Sequence, residues 1–180
     1  MTIKHYFFGK ECVINRALTD YSDLEKNLTK QNFISFQPII LVNQIHSSDV
    51  LVINDQSKIP SATNRPKADA IVTNLKNLII GLFTADCMPI LFFDEKNSVI
   101  AAAHAGWLGA FKNIADNTIA KMLEIGAKIE NIKVIIGPTI RQESYEISQE
   151  FYDRFVGENS ENKKLFIRGK RAEHYLFDLP

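Results

Sequence analysis

Cysteine is scarce in this sequence, and charge imbalance and long apolar runs are absent. The 180 residues include two cysteines, Cys12 and Cys87, too few for the disulfide framework of a small secreted domain. Acidic and basic side chains number 21 each, so the chain lacks the excess of basic charge that binds nucleic acid or anionic membranes. No apolar run reaches the roughly 20 residues of a membrane-spanning helix, and the N-terminal segment lacks the apolar core of a signal peptide. These absences predict a cytoplasmic protein with neither nucleic acid nor membrane among its partners.

Repeats, low-complexity segments and linkers rich in proline, glycine or serine are also absent. Of all residues, 46% are hydrophobic and 23% are charged, which is the composition of a folded globular protein. A chain of this length buries about 70% of its extended surface, enough for one substantial core. We therefore expect a single domain over residues 1–180.

Runs of β-branched and apolar residues between turn-forming residues predict a chain rich in strands, with three helices. Strands are expected at residues 4–8, 39–42, 50–53, 70–73, 78–84, 89–93, 99–103, 133–136, 145–147 and 174–180. Helices are expected at residues 22–31, 109–125 and 148–156, where capping patterns and an apolar stripe of helical period indicate them. Gly126 is placed as a stop for the second of these helices.

A predicted hairpin brings two candidate functional residues together. Residues 94–97, Asp-Glu-Lys-Asn, favour a turn between the strands at 89–93 and 99–103. Antiparallel pairing places the two outer ends of such a hairpin side by side. Because Cys87 precedes the first strand and His104 follows the second, we expect these two side chains to share a site.

Two kinds of chemistry fit these residues. His46 lies between two expected strands, and with Cys87 and His104 it makes a three-ligand zinc set that leaves a fourth position for water or substrate. The competing interpretation is a Cys87 nucleophile activated by a histidine base. No C-x-x-C or H-E-x-x-H spacing decides between them from local pattern alone.

Other residues have a structural explanation beside the functional one. Asp69 and Asp86 can orient an imidazole as an outer carboxylate, or they can simply be solvated at turns. Trp107, the single tryptophan, can stack on a base or pack in the core. The Gly137-Pro138 turn can present backbone donors, although tight-turn geometry is the commoner reason for such a pair.

Five segments resemble, in order, the hallmark blocks of the YfiH-like family: QIHSSDV, ADAIVTN, GLFTADCMPILFFD, AAAHAGWLGAFKNI and IGPTIRQESYEI. Its members carry the labels multicopper polyphenol oxidoreductase (laccase), peptidoglycan editing factor and purine nucleoside phosphorylase. The combination of ADC-x-P with HAGW is specific to these blocks. The resemblance implies an α/β (α+β) fold of layered mixed β-sheets flanked by helices, similar to that of certain bacterial toxin deamidases.

The resemblance also implies a ligand set and an activity. Zinc would be bound by His46, Cys87 and His104, with Cu2+ as an adventitious occupant, and Asp86 would join these three in the catalytic set. Beside this set, we expect Gln44, Trp107 and Gly137 to bind substrate, and donors near residues 106–109 or Gly137 to receive phosphate. The implied activity is phosphorolysis of adenosine, inosine and methylthioadenosine, accompanied by adenosine deamination. The partners would then be a small purine nucleoside and phosphate.

The laccase label conflicts with the histidine content of the chain. A blue multicopper oxidase needs several His-x-His pairs to hold its copper cluster, whereas this chain has four histidines and no such pair. We therefore expect zinc at the site, although copper(II) has the higher intrinsic affinity for such ligands.

Three departures from the family pattern concern turnover. The glycine-rich N-terminal block is hard to find, and Leu108 stands where members often have arginine, a possible phosphate-binding cation. The sequence ends at Pro180, where relatives continue, so we expect the C-terminal segment of the family to be missing. A sheet edge left unpaired favours dimerisation, and the expected state is a monomer or a homodimer.

Two alternatives from other classes stay open. One is a Cys–His hydrolase or amidase that acts on cell-wall precursors, with Cys87 as nucleophile and His104 as base. The other is a truncated relic that binds metal or nucleoside without turnover.

Overall fold

The computed structural model describes residues 3–9 and 39–179 of the chain. The strands in this part are β1 (Ile39–Ile40), β2 (Val50–Ile53), β3 (Ala70–Thr73), β4 (Ile79–Ile80), β5 (Met88–Asp94), β6 (Val99–Ala105), β7 (Lys133–Ile136), β8 (Glu146–Ser148), β9 (Phe166–Arg168) and β10 (His174–Phe177). The helices are α1 (Trp107–Phe111), α2 (Ile114–Glu124) and α3 (Gln149–Glu158), joined by short 3-10 helices at Gln56–Lys58, Ile129–Asn131, Gln142–Ser144 and Ser160–Leu165. Within the described ranges, every helix is too short or too polar to cross a membrane.

The central sheet has five strands in the order β2-β3-β6-β5-β7. Strands β2 and β3 run parallel, and every other neighbouring pair in this sheet is antiparallel. An antiparallel sheet in the order β8-β10-β9 and a short parallel pair, β1 with β4, make up the other sheets. Mixed sheets flanked by helices confirm the expected α/β class.

Side chains of the central strands alternate between two apolar cores, because successive residues of a strand point to opposite faces. Ala70 and Val72 of β3 and Ile90 and Phe92 of β5 pack on the face that α2 and α3 cover. Ile71 points the other way and joins the second core, beside residues of β1 and β2. The sequence of a strand that is buried on both faces is a nearly continuous run of apolar residues. These strands could therefore be predicted well from the sequence.

The predicted hairpin between β5 and β6 is confirmed. The two strands pair along their whole length, with Met88 opposite Ala105 at the open end. At the closed end, the fully buried Asp94 carboxylate accepts hydrogen bonds from the N–H groups of Asn97 (3.0 Å) and Lys128 (2.9 Å). The turn is thereby fixed to the segment before β7, and the register of the open end follows from it.

The helix predicted over residues 109–125 is two helices that meet at Asn113. This residue has a left-handed backbone, with φ of 59°, a conformation that asparagine tolerates better than most residues. The first of these helices lies close to another segment at Gly109. A Cβ at Gly109 would lie 3.0 Å from the carbonyl oxygen of Ser47, so α1 packs directly against the loop that carries His46. The apolar pattern runs through this break, and the prediction of one helix was wrong.

Two strand predictions also fail. Residues 4–8 form no strand, and the strand expected at residues 78–84 is reduced to β4. The reason for the second lies at Phe83, whose N–H and carbonyl both bond the side-chain amide of Gln44 instead of a neighbouring strand (2.8 Å each). The helix expected at residues 22–31 lies outside the described residues.

The C-terminal part of the chain follows the prediction more closely. Helix α3 occupies the place expected for the last helix, and the Ser148 hydroxyl caps it by accepting from the Phe151 N–H (3.4 Å). The strand expected at residues 174–180 is β10, which ends at Phe177. Its partner β9 was not predicted from the sequence.

We expect Gly126→Ala to destabilise the fold and Gly157→Ala to stabilise it slightly. Gly126 ends α2 with φ of 107°, and a side chain at a left-handed position costs about 1–2 kcal/mol. Gly157 lies within α3, where alanine is favoured over glycine by up to about 1 kcal/mol. A Cβ at either glycine would meet no atom within 4 Å, so packing does not obscure the comparison. Urea unfolding of both variants measures the changes in unfolding free energy. Changes in the same direction for the two variants would contradict this explanation.

Candidate metal centre

Three potential metal ligands converge at the open end of the β5–β6 hairpin. Cys87 directly precedes β5, His104 lies near the end of β6, and His46 reaches them from the loop between β1 and β2. The Cys87 Sγ atom lies 3.9 Å from Nε2 of His46, and the three donor atoms all lie within 4.8 Å of one another. The rings of His46 and His104 meet edge to face, with centroids 4.9 Å apart. The expected proximity of Cys87 and His104 is thus confirmed, although His104 lies inside β6 and not after it.

The Asp69 carboxylate, just before β3, holds two of these ligands in place. Its Oδ1 accepts from Nδ1 of His104 (2.9 Å) and from the backbone N–H of His46 (3.0 Å). Its Oδ2 accepts from the N–H groups of Ile45 (3.2 Å) and Ser47 (2.6 Å) and from the Ser47 hydroxyl (2.9 Å). A single fully buried side chain therefore fixes both the imidazole on β6 and the loop that carries the second imidazole.

Backbone geometry around His46 needs this support. His46 has φ of 58°, a left-handed conformation that is unfavourable for a residue with a side chain. Gly106 makes room beside it, because a Cβ there would lie 2.9 Å from Cδ2 of His46 and 3.0 Å from Sγ of Cys87. Any larger residue at position 106 would push the imidazole and the thiol apart.

The three ligands differ in their exposure to solvent. His104 is buried, with 4% of its surface exposed, Cys87 is half-buried, and His46 is exposed. The cluster therefore has one protected side, formed by the sheet, and one open side, at the His46 loop. A small molecule can reach the ligands from that open side.

Charge around the cluster is negative. Burial alone would raise the pKa of the Asp69 carboxyl, but hydrogen bonds from Ser47, His104 and Ile45 together lower it below its ordinary value. Burial raises the pKa of the Cys87 thiol, and the negative charges of Asp86 and Asp69 raise it further. A thiol in these surroundings stays protonated at neutral pH unless a cation lies next to it, which is unfavourable for a cysteine nucleophile.

Gln44 and Asp86 both lie in loops that border the cluster. The side-chain amide of Gln44 donates one hydrogen bond to the backbone of Phe83 and accepts one from it, and it ties the His46 loop to the segment that leads to Cys87. The Asp86 side chain is exposed, while its carbonyl accepts from the hydroxyl of Thr139 and the N–H of Ile140 (2.9 Å each). The loop after β7 is thereby fastened beside the cluster.

The Trp107 ring belongs to an apolar core. It packs against the helix-side core, edge to face with Phe151 at 5.0 Å, and the guanidinium of Arg154 lies 5.3 Å from its centre. These contacts favour the core-packing interpretation of Trp107 over stacking on a base. Gly137 donates its N–H to the Pro89 carbonyl (2.9 Å), so this group serves the sheet and not a substrate.

Tyr145 was missed by the sequence analysis, which placed it in a strand without a role. It is half-buried just before β8, and burial together with the negative charges of Cys87 and Asp86 raises the pKa of its phenol. Gly106 was considered only as part of a possible phosphate-binding corner, and its role in making room for His46 and Cys87 was missed. A glycine two residues after a candidate ligand is a usable signal of such close approach.

The residues at this site fit zinc. Two imidazoles and a thiolate are donors that zinc prefers, and three protein ligands with one open position are typical of catalytic zinc sites. Asp69 engages Nδ1 of His104, which leaves Nε2 as the nitrogen that faces the cluster, and such a carboxylate is the usual support of a zinc-bound imidazole. Among the residues that the structure describes, no other group of three or more His, Cys, Asp and Glu is close enough to hold an ion.

The chain has a mixed-sheet α/β fold with a His–Cys–His cluster at the open end of a hairpin. It therefore belongs to the class of α/β proteins with a candidate metal centre. The sequence profile described as multi-copper polyphenol oxidoreductase laccase matches residues 20–180. The chain belongs to this family. Its description mentions several coppers, whereas the described residues gather a single three-ligand group.

Two curated relatives are similar over most of the chain. A purine nucleoside phosphorylase of Rickettsia prowazekii is 39% identical over 166 residues, which cover 92% of this chain and 66% of the relative. An adenosine deaminase from an unknown prokaryotic organism is 31% identical over 161 residues, which cover 87% of this chain and 62% of the relative. The chain therefore spans just under two thirds of the length of these relatives.

A solved structure shares the fold. The crystal structure of the Bacillus licheniformis protein YfiH matches with a TM-score of 0.73 and 23% identity, over 87% of this chain and 60% of that one. This likeness confirms the expected fold, and the profile match confirms the family resemblance that the five sequence blocks indicated.

We expect Asp69→Asn to weaken zinc binding by about 10–100-fold, the usual effect of losing the partner of a metal-bound histidine. Asparagine keeps one acceptor oxygen but loses the charge, so His104 and the N–H groups of residues 45–47 are left with poorer partners. Competition with a chromophoric chelator measures the affinity. The control is Asp49→Asn, an exposed neighbour that is expected to bind zinc as the wild type does. Equal affinities for all three proteins would remove Asp69 from the metal centre.

The same carboxylate predicts a pH dependence of stability. Because the folded pKa of Asp69 is lowered, its stabilising effect is present above its unfolded pKa of about 4 and is lost as the pH falls through the folded value. The difference in unfolding free energy between wild type and Asp69→Asn should therefore shrink in acid. Urea titrations of the metal-free proteins from neutral to acidic pH measure it, and a difference independent of pH would contradict the assignment.

Proposed function

We propose that this chain is a zinc-dependent purine nucleoside phosphorylase that also deaminates adenosine. The observation that carries the proposal is the convergence of three donor atoms within 4.8 Å of one another. Asp69 holds two of the three ligand residues, His46 and His104, by hydrogen bonds. The names of the relatives, a purine nucleoside phosphorylase and an adenosine deaminase, support the substrate class. Adenosine, inosine and methylthioadenosine are the substrates that we assign, with phosphate as the second reactant.

His46, Cys87 and His104 would hold the metal. Zinc bound there would polarise a substrate oxygen and lower the pKa of a water molecule in the open position. Copper(II) competes for the same donors because of its higher intrinsic affinity. We assign the reaction to the cytoplasm, where the reducing environment keeps the Cys87 thiol available as a ligand.

Proton transfer is assigned to Asp86. Its carboxylate is exposed and directly precedes Cys87 in the chain, so it can exchange a proton with substrate that enters from the open side. Gln44 contributes by position, because its amide holds the two loops that carry His46 and Cys87 at a fixed separation.

The geometry offers weaker support for a Cys–His hydrolase. The 3.9 Å between Cys87 Sγ and His46 Nε2 is compatible with a nucleophile and a base. The raised pKa of the thiol opposes that chemistry. The amidase is therefore kept as an outcome of the test below.

The test is incubation of purified protein with adenosine and phosphate, followed by analysis for adenine, ribose 1-phosphate and inosine, together with the metal content. We expect one zinc per chain and all three products. Cys87→Ala should lose the zinc and the turnover, because one of three ligands is gone. Cys12→Ala removes the other cysteine of the sequence and serves as the control, with zinc and turnover retained.

Three results would contradict the proposal. Zinc content and nucleoside cleavage that are unchanged in Cys87→Ala would remove Cys87 from the site. Metal-free wild-type protein that hydrolyses amides and is inactivated by alkylation of Cys87 would establish the hydrolase. Zinc binding without any product would indicate a protein that binds metal but does not turn over nucleosides.

A further inference from the structure

Four residues form a row across the central sheet, each in or next to one of four adjacent strands. The register brings Asp69 opposite His104, His104 opposite Pro89, and Pro89 opposite Gly137. Two backbone hydrogen bonds join the ends of the row, from His104 N–H to the Asp69 carbonyl (2.7 Å) and from Gly137 N–H to the Pro89 carbonyl (2.9 Å). Directly opposed residues point to the same face of a sheet, so the row lies on the face that carries the His104 imidazole.

The row ends under the ring of Phe7. A Cβ built on Gly137 would lie 2.3 to 2.8 Å from three ring carbons of Phe7, so the ring occupies the space into which a side chain would project. Phe7 is 38% exposed, and so part of its ring covers the glycine while another part faces solvent. Neighbouring strands lie about 4.8 Å apart, which places Gly137 about 10 Å from His104 along the row.

Exposed apolar surface therefore borders the metal centre. Ile45, which directly precedes His46, exposes 45% of its surface. Small-molecule sites combine apolar and aromatic walls with a few polar groups that fix the orientation of the ligand. The cluster provides the polar groups, and Phe7 provides an aromatic ring on the same face of the sheet.

We infer that Phe7 binds the base of the purine nucleoside on its exposed ring surface, and that Gly137 is needed to seat this ring. The inference rests on the proposed function, since it takes an aromatic base as the largest apolar part of the substrate. Base–aromatic stacking tolerates any purine, because every base has a π-face. Phe7 therefore contributes affinity for the base without choosing between adenine and hypoxanthine.

Steady-state kinetics of the zinc-loaded protein with adenosine and with inosine test the inference. Phe7→Ala should raise KM for both nucleosides by about tenfold or more, with little change in kcat, because a stacking contact is lost and the metal centre is not. Phe7→Tyr keeps the ring and should stay close to wild type. Ile167→Ala removes an exposed apolar side chain from β9, in the three-stranded sheet, and is the control for loss of apolar surface.

Gly137→Ala displaces the Phe7 ring by a change in the residue that the ring contacts. Its new methyl group would occupy the position of the Phe7 ring, so this variant should raise KM as Phe7→Ala does. Because both changes act on one contact, the double variant should show much less than the product of the two effects. Independent, multiplicative effects would indicate that Gly137 does not act through Phe7, and would overturn that half of the inference.

Adenosine binding by calorimetry and thermal unfolding of each variant separate the possible failures. Wild-type turnover with an unchanged KM in Phe7→Ala would overturn the role of Phe7 and leave the proposed function intact. A lowered melting temperature with unchanged KM and unchanged affinity would reduce Phe7 to a packing residue, which also overturns the inference. Wild-type protein that neither binds nor cleaves adenosine would overturn both proposals. Loss of adenosine affinity in Phe7→Ala at unchanged zinc content supports the inference even if turnover is absent.

Discussion

The candidate metal centre depends on one buried carboxylate. Asp69 accepts hydrogen bonds from the His104 imidazole and from three successive backbone N–H groups of the segment 45–47. A buried charge without such partners would be strongly unfavourable, so the loop and the imidazole are drawn to the same side chain for the same reason. Two of the three ligands are therefore positioned together, and the hairpin register positions the third.

The hairpin is the part of this arrangement that the sequence predicts well. Its strands are apolar runs with a clear turn between them, and the turn residue Asp94 is held by local hydrogen bonds. Once the turn is located, antiparallel pairing determines which residues meet at the open end. Cys87 and His104 could be paired by this reasoning alone, whereas His46 was added to them by its likeness to a family pattern.

The features that escaped prediction all depend on contacts between distant segments. The break at Asn113 lies within an uninterrupted apolar pattern, and the close approach of Gly109 to the Ser47 carbonyl is invisible in either segment alone. Gln44 was predicted only as a substrate-binding residue, and the role of its amide as a replacement for a strand partner of Phe83 was not foreseen. Sequence patterns report which residues are apolar, and they do not report which backbone groups a polar side chain will satisfy.

His46 is the ligand whose position is least secured by the fold. His104 lies in a paired strand and Cys87 at the start of one, while His46 is exposed on a loop and has a left-handed backbone. Metal affinity depends on how little ordering the ligands require on binding, and here the ordering of His46 is supplied by Asp69 and by the space at Gly106. These two residues bind no metal themselves. They nevertheless decide whether the site has three ligands or two, and with two ligands the preference for catalytic zinc would be lost.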